Sequence, residues 1–482
     1  MTLYNKALFF LTISLTIAGL TSCSIPKVTA RQADVSLPAS FHSANDSSSV
    51  TTDVQSLDWK AFFDDPLLAG LIDSALVNNQ EVNILLQKLS RSRNEVSTRK
   101  GEYLPSVGVG FGAEIEKIGR YTRNGAVEES LDIDEGKHIP EFLGNLQPEL
   151  FASWEIDIWK KLHNAEKVAA MEYLAGLEGK NFLISNLVAE IAGNYYELVS
   201  LDNQLLNLRQ NLELQQNAFE TVKLLQQAGR SNALAVKRFE AEIEKNRGEV
   251  FTLAQKIVEV ENEINFLAGR MPQAVARNSE GFVEREPPVI GYGLPSDLLR
   301  NRPDIRRAEL EMQASALDVK VARANFLPSF GIRAGLGFQA FNLKYLVRAP
   351  ESALLSLAGD ITAPLINRRA ITAEYQNANA RQIEAAYEYE RTILQGYLEV
   401  VTQLSAVDNL ASEFQQRERQ VAAMDESIEI ANLLFQSAHA DYLEVLLTQR
   451  EALESRQELI ETRKEQMNVM VTLYRALGGG WS

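Results

Sequence analysis

"YLPSVGVGFGAEI", residues 103–115, alternates small or polar residues with apolar ones, and "FLPSFGIRAGLGF", residues 326–338, repeats the pattern 223 positions later. In the first copy Val107, Val109, Phe111, Ala113 and Ile115 fall on one side and Ser106, Gly108, Gly110, Gly112 and Glu114 on the other. A period of two marks a strand, because successive side chains point to opposite faces. The second copy sets Phe330, Ile332, Ala334, Leu336 and Phe338 against Ser329, Gly331, Arg333, Gly335 and Gly337. Each copy has a partner downstream. Residues 149–158 put Leu150, Ala152, Trp154, Ile156 and Ile158 on one face, with Phe151 as the exception; residues 353–366 set Leu355, Leu357, Ile361 and Leu365 against Ser356, Ala358, Asp360 and Thr362.

Strands of about ten residues with one apolar face suit a tilted membrane strand. A soluble antiparallel sheet with one face on a core alternates in the same way, so context has to separate the two. At the N-terminus Lys6 precedes the apolar run "ALFFLTISLTIAGL", Ala7 to Leu20, which is too short to span a bilayer and reads as the core of a signal peptide over 1–22. "LTSC" follows, and Cys23 is the only cysteine, so no intramolecular disulfide can form. These four residues resemble a bacterial lipobox, in which the cysteine is diacylated and becomes the first residue. Ser24 in place of Asp resembles the sorting pattern of outer membrane lipoproteins. A multiply acylated Cys23 is a firm anchor, and 23–65 reads as a lipidated, irregular tether.

The chain is two copies of one plan. "ALVNNQEV" (75–82) and "LLRNRPDI" (298–305) share the 223 offset, "DIWKK" (157–161) and "PLINR" (364–368) are 207 apart, and "AGR" (228–230) and "SAH" (437–439) are 209 apart. The offset drops because the polar segment after the first glycine-rich stretch is longer than its counterpart. A repeat of about 210 residues exceeds any solenoid unit and implies a duplicated domain, with repeats over 66–269 and 295–478, an equatorial linker at 270–294 and a tail at 479–482. Each repeat reads as helix, two strands, then two long helices. Residues 160–227, 231–267, 368–436 and 440–476 are nearly free of Gly and Pro, and Leu201, Leu205, Leu208 and Leu212, continued by Phe219 and Val222, have coiled-coil spacing. About 68 helical residues reach roughly 100 Å.

Helices of that length, a signal peptide and a lipid anchor favour a membrane barrel over a soluble sheet. Four strands cannot close, and an open edge in hydrocarbon leaves N–H and C=O groups unpaired at several kcal/mol each. Three copies give a twelve-stranded barrel with an aqueous lumen. The expected fold class is therefore mainly α with a small membrane β-barrel portion, four strands per chain, continued by a long α-helical barrel.

"GLPSDLLRNRPDIRRAE" (293–309), "LYRALGGGW" (473–481) and "DWKAFFDDPLLAGLIDSAL" (58–76) resemble the TolC-like outer membrane efflux channels, in the NodT lipoprotein subgroup, and the likeness covers essentially the whole chain. The resemblance implies a homotrimeric channel in the outer membrane of a Gram-negative bacterium, with helices extending into the periplasm. It implies a passive exit duct for small toxic molecules or drugs, joined by a periplasmic adaptor to an inner-membrane transporter of the resistance-nodulation-division type. In such channels the helix turns form the entrance and the adaptor docking surface. By position these are Gly229, Arg230, Ser231 and Asn232 in the first half and Ala438, His439 and Ala440 in the second. Asp441 and Glu444, three apart, share a helix face, and three copies would make an acidic gate ring; acids at an exposed helix start also simply favour the dipole. Ala438 departs from the Gly common at this turn.

The net charge of -16 argues against a nucleic-acid binder. The glycines of "GVGFGA" lie within a strand pattern, not between strand and helix, so they make no dinucleotide loop. The histidines His42, His138, His163 and His439 are scattered, and no metal site, cofactor or catalytic constellation is expected apart from the covalent lipid. Other readings are a channel for type I protein secretion or metal-ion efflux, the latter disfavoured by seven methionines without a stripe. A lipid-anchored periplasmic coiled-coil protein is the alternative of another class.

Overall fold

The structure is a computed structural model that describes residues 25–41, 58–134, 136–291, 293–437 and 439–481. The signal peptide, Cys23 and Ala438 lie outside the described residues. Helices α1 (Trp59–Phe63), α2 (Pro66–Asn78) and α3 (Gln80–Glu102) lead into β1 (Ser106–Glu116). A loop holding α4 (Arg123–Ser130) and the short strands β2 (Asp132–Asp134) and β3 (Lys137–His138) leads to β4 (Leu143–Glu155), followed by the long helices α5 (Lys161–Gln227) and α6 (Ala233–Leu267). After a 3-10 turn, Pro295–Asp297, the second repeat runs α7 (Leu298–Asn301), α8 (Pro303–Ala324), β5 (Ser329–Phe338), α9 (Leu343–Leu346), β6 (Ala353–Thr362), α10 (Arg369–Gln436) and α11 (Tyr442–Ala476).

Two compact units divide the chain, and each draws on both repeats. The first comprises the described part of Met1–Gln32 with Arg91–Tyr173 and Glu311–Ala386; the second comprises Ala33–Ser90, Leu174–Leu310 and Tyr387–Ser482. The leading helix of the first repeat is broken at Asn79. Its Oδ1 accepts from the Val82 N–H at 3.0 Å and its Nδ2 donates to the Leu267 carbonyl at 2.9 Å. The break thus follows from a side chain that caps the next helix while tying it to a distant one.

In the first unit the four long strands form one antiparallel sheet in the order β1-β4-β5-β6, and β2 pairs with β3 apart from it. Strand β4 starts at Leu143, ahead of the expected start at about 147, because the ladder continues through Phe111↔Pro148 to Glu116↔Leu143; Pro148 reads locally as a strand breaker, yet the pairing runs past it. The register aligns Val109, Leu150, Leu336 and Leu355 in one row and Gly110, Glu149 and Gly337 in the next. Beside the sheet Ala322, Phe326, Tyr375 and Ala378 form a small core, against which Ile25 and Val28 pack. Gln382 holds the backbone of the same N-terminal segment at Arg31, whose N–H donates to Oε1 at 2.9 Å and whose carbonyl accepts from Nε2 at 2.7 Å. Residues 25–41 contain no helix or strand, but this part of the tether is held down.

The second unit is helical and its core is the expected stripe. Leu201, Leu205 and Leu208 of α5 pack on Leu253 of α6 and Leu453 of α11. Further along, Val222, Ala235, Phe239, Tyr442 and Leu446 form a second cluster. Burying each large apolar side chain contributes about 1.5–3 kcal/mol. Between the clusters lies the buried pair Asn246–Gln215, with the amide of Asn246 donating at 2.9 Å. A polar pair in an apolar seam weakens it but penalises other alignments of the helices.

Candidate functional site

The two faces of the sheet differ in kind. On one, Val109 is 79% and Leu355 81% exposed, and Val107, Phe111, Ile115, Leu150, Leu336, Leu357 and Ile361 are exposed as well. Among the described residues no core covers this face, unlike the half-buried sheet of a soluble domain; a contiguous apolar surface of this size needs an apolar medium or a partner. The other face carries Glu114, Glu149, Glu155, Arg333 and Asp360 among its glycines and serines, with Arg333 Nε 3.6 Å from Asp360. Phe151, the exception in the alternation, lies on this polar face and fills the space over Gly108: a Cβ there would meet its ring at 2.6 Å. Gly337 has the Pro148 carbonyl at 2.3 Å from where a Cβ would stand. These glycines therefore admit close cross-strand neighbours in addition to lining the face with small groups.

Where strands pass into long helices, the repeat is visible in the backbone. Lys160 and Asn367, 207 positions apart, both take the left-handed conformation, with φ of 56° and 54°. Asp157 caps the start of α5: its Oδ2 accepts from the His163 N–H at 2.9 Å and lies 2.6 Å from the ring Nδ1. Burial opposes ionisation of this carboxyl, but the bonds from His163, Leu162 and Lys161 outweigh it and hold the pKa below its ordinary value. The His163 ring stacks on Tyr103 at 4.2 Å.

At the helix turns the described residues include all but one of the sequence candidates. Gly229 has φ of 71°, and the bonds Gly229 N–H to Gln226 and Arg230 N–H to Leu225 close the end of α5, the role for which glycine is preferred after a helix. Asn232 caps α6 through Ala235 N–H at 2.9 Å, and Asp441 caps α11 through Tyr442 N–H at 2.7 Å. Arg230, Asn232, His439, Asp441 and Glu444 are exposed, and His439 lies 3.2 Å from the Ser437 hydroxyl. A cavity of about 670 Å³ opens between the two turns, lined by Gly229, Arg230, Ser231, Asn232, Ala440 and Asp441 among others. Asp441 and Glu444 thus stand together in the first turn of α11, one of them serving the helix as its cap.

The signature segments have a structural use that their sequence does not disclose. Arg302, 6% exposed, donates bidentately to Asp304, with Nη2 2.8 Å from Oδ2, and through Nη1 to Glu399 at 2.9 Å and to the Ala476 carbonyl at 2.7 Å. Arg475 joins Glu399 from the other side. "NRPDI" and "LYRALGGGW" therefore interlock around one buried guanidinium. The profile of the outer membrane efflux protein family matches residues 71–270 and 294–479.

The chain belongs to the outer membrane efflux protein family. It is 27% identical over 468 residues to the cation efflux system protein CusC of Escherichia coli, covering 96% of this chain and 97% of the relative. It is 27% identical over 424 residues to the pyoverdine export outer membrane protein OpmQ of Pseudomonas aeruginosa, covering 88% and 87%. The fold is that of solved outer membrane channels: the open state of MtrE from Neisseria gonorrhoeae superposes with a TM-score of 0.81 at 21% identity, over 95% of this chain and 99% of that one. This efflux protein is the outer membrane channel component of a tripartite pump, and its family is a transport component. Lack of a methionine stripe does not separate metal from other export, because relatives named for cations and for pyoverdine are matched at the same identity.

Proposed function

We propose that three copies of this chain close their four-stranded sheets into one twelve-stranded barrel in the outer membrane, the passive exit duct for small toxic molecules. The observation that carries this reading is the uncovered apolar face of a sheet whose outer strands, β1 and β6, each leave one edge unpaired among the described residues. In hydrocarbon those edges need pairing, and two further copies supply it. A lipid on Cys23 anchors the N-terminus to the membrane. Its sequence context supports this, as does the seating of Ile25 and Val28 beside the sheet.

Gly229, Arg230, Ser231 and Asn232, with Ala438, His439 and Ala440, receive a periplasmic adaptor, which links the channel to an inner-membrane transporter of the resistance-nodulation-division type that supplies the energy. Asp441 and Glu444 form the acidic ring at the entrance. Support for this comes from family membership and from the exposure of these polar groups around a cavity. A second reading, export of cations, draws on the name of the CusC relative and on the excess of carboxylates on the polar face of the sheet.

Purified protein reconstituted in a planar bilayer tests the duct: discrete conductance steps with a cation preference are expected. A protein that remains in the aqueous phase without detergent and gives no steps would overturn it.

A further inference from the structure

At one margin of the sheet Ser106 pairs with Ser153, Glu155 with Gly331 and Ser329 with Thr362, so β4 leaves for α5 and β6 leaves for α10 at the same end. The two exits share one plan, an apolar pair followed by a basic pair. Each begins with two exposed apolar residues, Ile158 and Trp159 in one and Leu365 and Ile366 in the other, Ile366 being 90% exposed. Basic residues follow, Lys160 with Lys161 directly in the first exit and Arg368 with Arg369 after Asn367 in the second. The Trp159 indole donates to the Pro328 carbonyl at 2.7 Å, which fixes its ring at this margin. Arg368 lies over the Phe326 ring at 4.7 Å, whereas Lys160, Lys161 and Arg369 have no carboxylate partner among the described residues. The neighbouring Asp157 is engaged by His163.

We propose that Lys160, Lys161, Arg368 and Arg369 form a collar that binds the phosphates of anionic phospholipids at the rim of the barrel. The collar rests on the reading of the uncovered face as lipid-facing. It is continuous with that face: apolar side chains persist past the last paired residues, then positive charge follows within two positions, the order in which a bilayer passes from hydrocarbon to phosphate. Unpaired cations next to apolar side chains match a lipid, which offers both chemistries at that spacing. An acidic protein surface offers only one. Because the exits are copies of one repeat unit, each chain supplies two such sites.

Full-length protein is reconstituted in vesicles and its tryptophan fluorescence is quenched with brominated phosphatidylglycerol or brominated phosphatidylcholine. Wild type should favour the anionic lipid, and Lys160→Gln with Arg369→Gln should lower that preference by about fivefold for each charge removed. The single Lys161→Gln variant should lose about one such factor. Equal quenching by phosphatidylcholine in all variants verifies insertion. An unchanged preference in an inserted double variant overturns the collar and leaves the barrel standing. The same result with loss of a co-purifying acidic protein assigns the charges to that protein instead. Failure to insert into either vesicle overturns the lipid-facing reading and the collar with it.

Discussion

Arg302 shows how a single buried charge can carry a sequence signature. Its guanidinium is desolvated, which opposes the charged form, yet Asp304 and Glu399 more than compensate and its pKa is raised. Removing one member of such a network leaves the others buried and uncompensated, at about 3–5 kcal/mol. Arg302→Met should lower the urea midpoint of the detergent-solubilised protein accordingly. Arg302→Lys should restore little, since an ammonium cannot reproduce the fork that grips Asp304. The motif was legible in the sequence but its purpose was not, because the Ala476 carbonyl lies 174 positions away. His163 was passed over as a scattered histidine for the same reason: its meaning resides in Asp157 and Tyr103. Since the Asp157 carboxyl is held below its ordinary value of 3.8, its stabilising effect is complete above that value and is lost as pH falls through the depressed one. Asp157→Ala should cost about 1 kcal/mol near neutral pH and flatten the acid limb of a pH–stability curve, which thermal unfolding between pH 3 and about pH 7 measures.

Strands and long helices were the parts most readable in advance. Alternation in 103–115 and 353–366 fixed which side chains share a face, and the structure exposes the apolar sets from Val107 to Ile115 and from Leu355 to Ile361. Absence of Gly and Pro located the long helices within a few residues. What periodicity missed was decided by contacts rather than propensity: β4 runs through Pro148 because β1 pairs with it, and α3 starts anew at Asn79. The N-terminal segment read as an irregular tether, and only the amide of Gln382, 351 positions from Arg31, shows where it is held. The faces differ in tolerance. Leu355→Arg places a cation on the uncovered face at about 2–4 kcal/mol if it lies near the bilayer midplane, so outer membranes should contain far less assembled protein by immunoblot, whereas Ser356→Arg on the opposite face should leave the amount unchanged. At the turns, Asp441→Asn keeps a capping side chain, and with Glu444→Gln it should reduce cation preference in single-channel recordings without lowering protein yield. Unchanged selectivity would remove the acidic ring while leaving the channel intact.

For the molecule as a whole, the internal repeat was the most informative feature. It foretold two hairpins of one design, and the left-handed Lys160 and Asn367 show the copies matching residue by residue. The compact units nevertheless cut across the repeats, because equivalent segments of the two copies pack on one another. Relatives at the same identity carry names that refer to cations and to pyoverdine. The reading of an exit duct depends on β1 of one copy pairing with β6 of the next. Cys23 is the only native cysteine, so cysteines introduced along β1 at Ser106, Gly108 and Gly110 and along β6 at Ser356, Ala358 and Asp360 can be scanned against a single background position. Oxidation of intact outer membranes should yield, for one register of pairs, covalent species of up to three chains and none larger. Monomers at every pair, or products limited to two chains, would contradict a shared barrel.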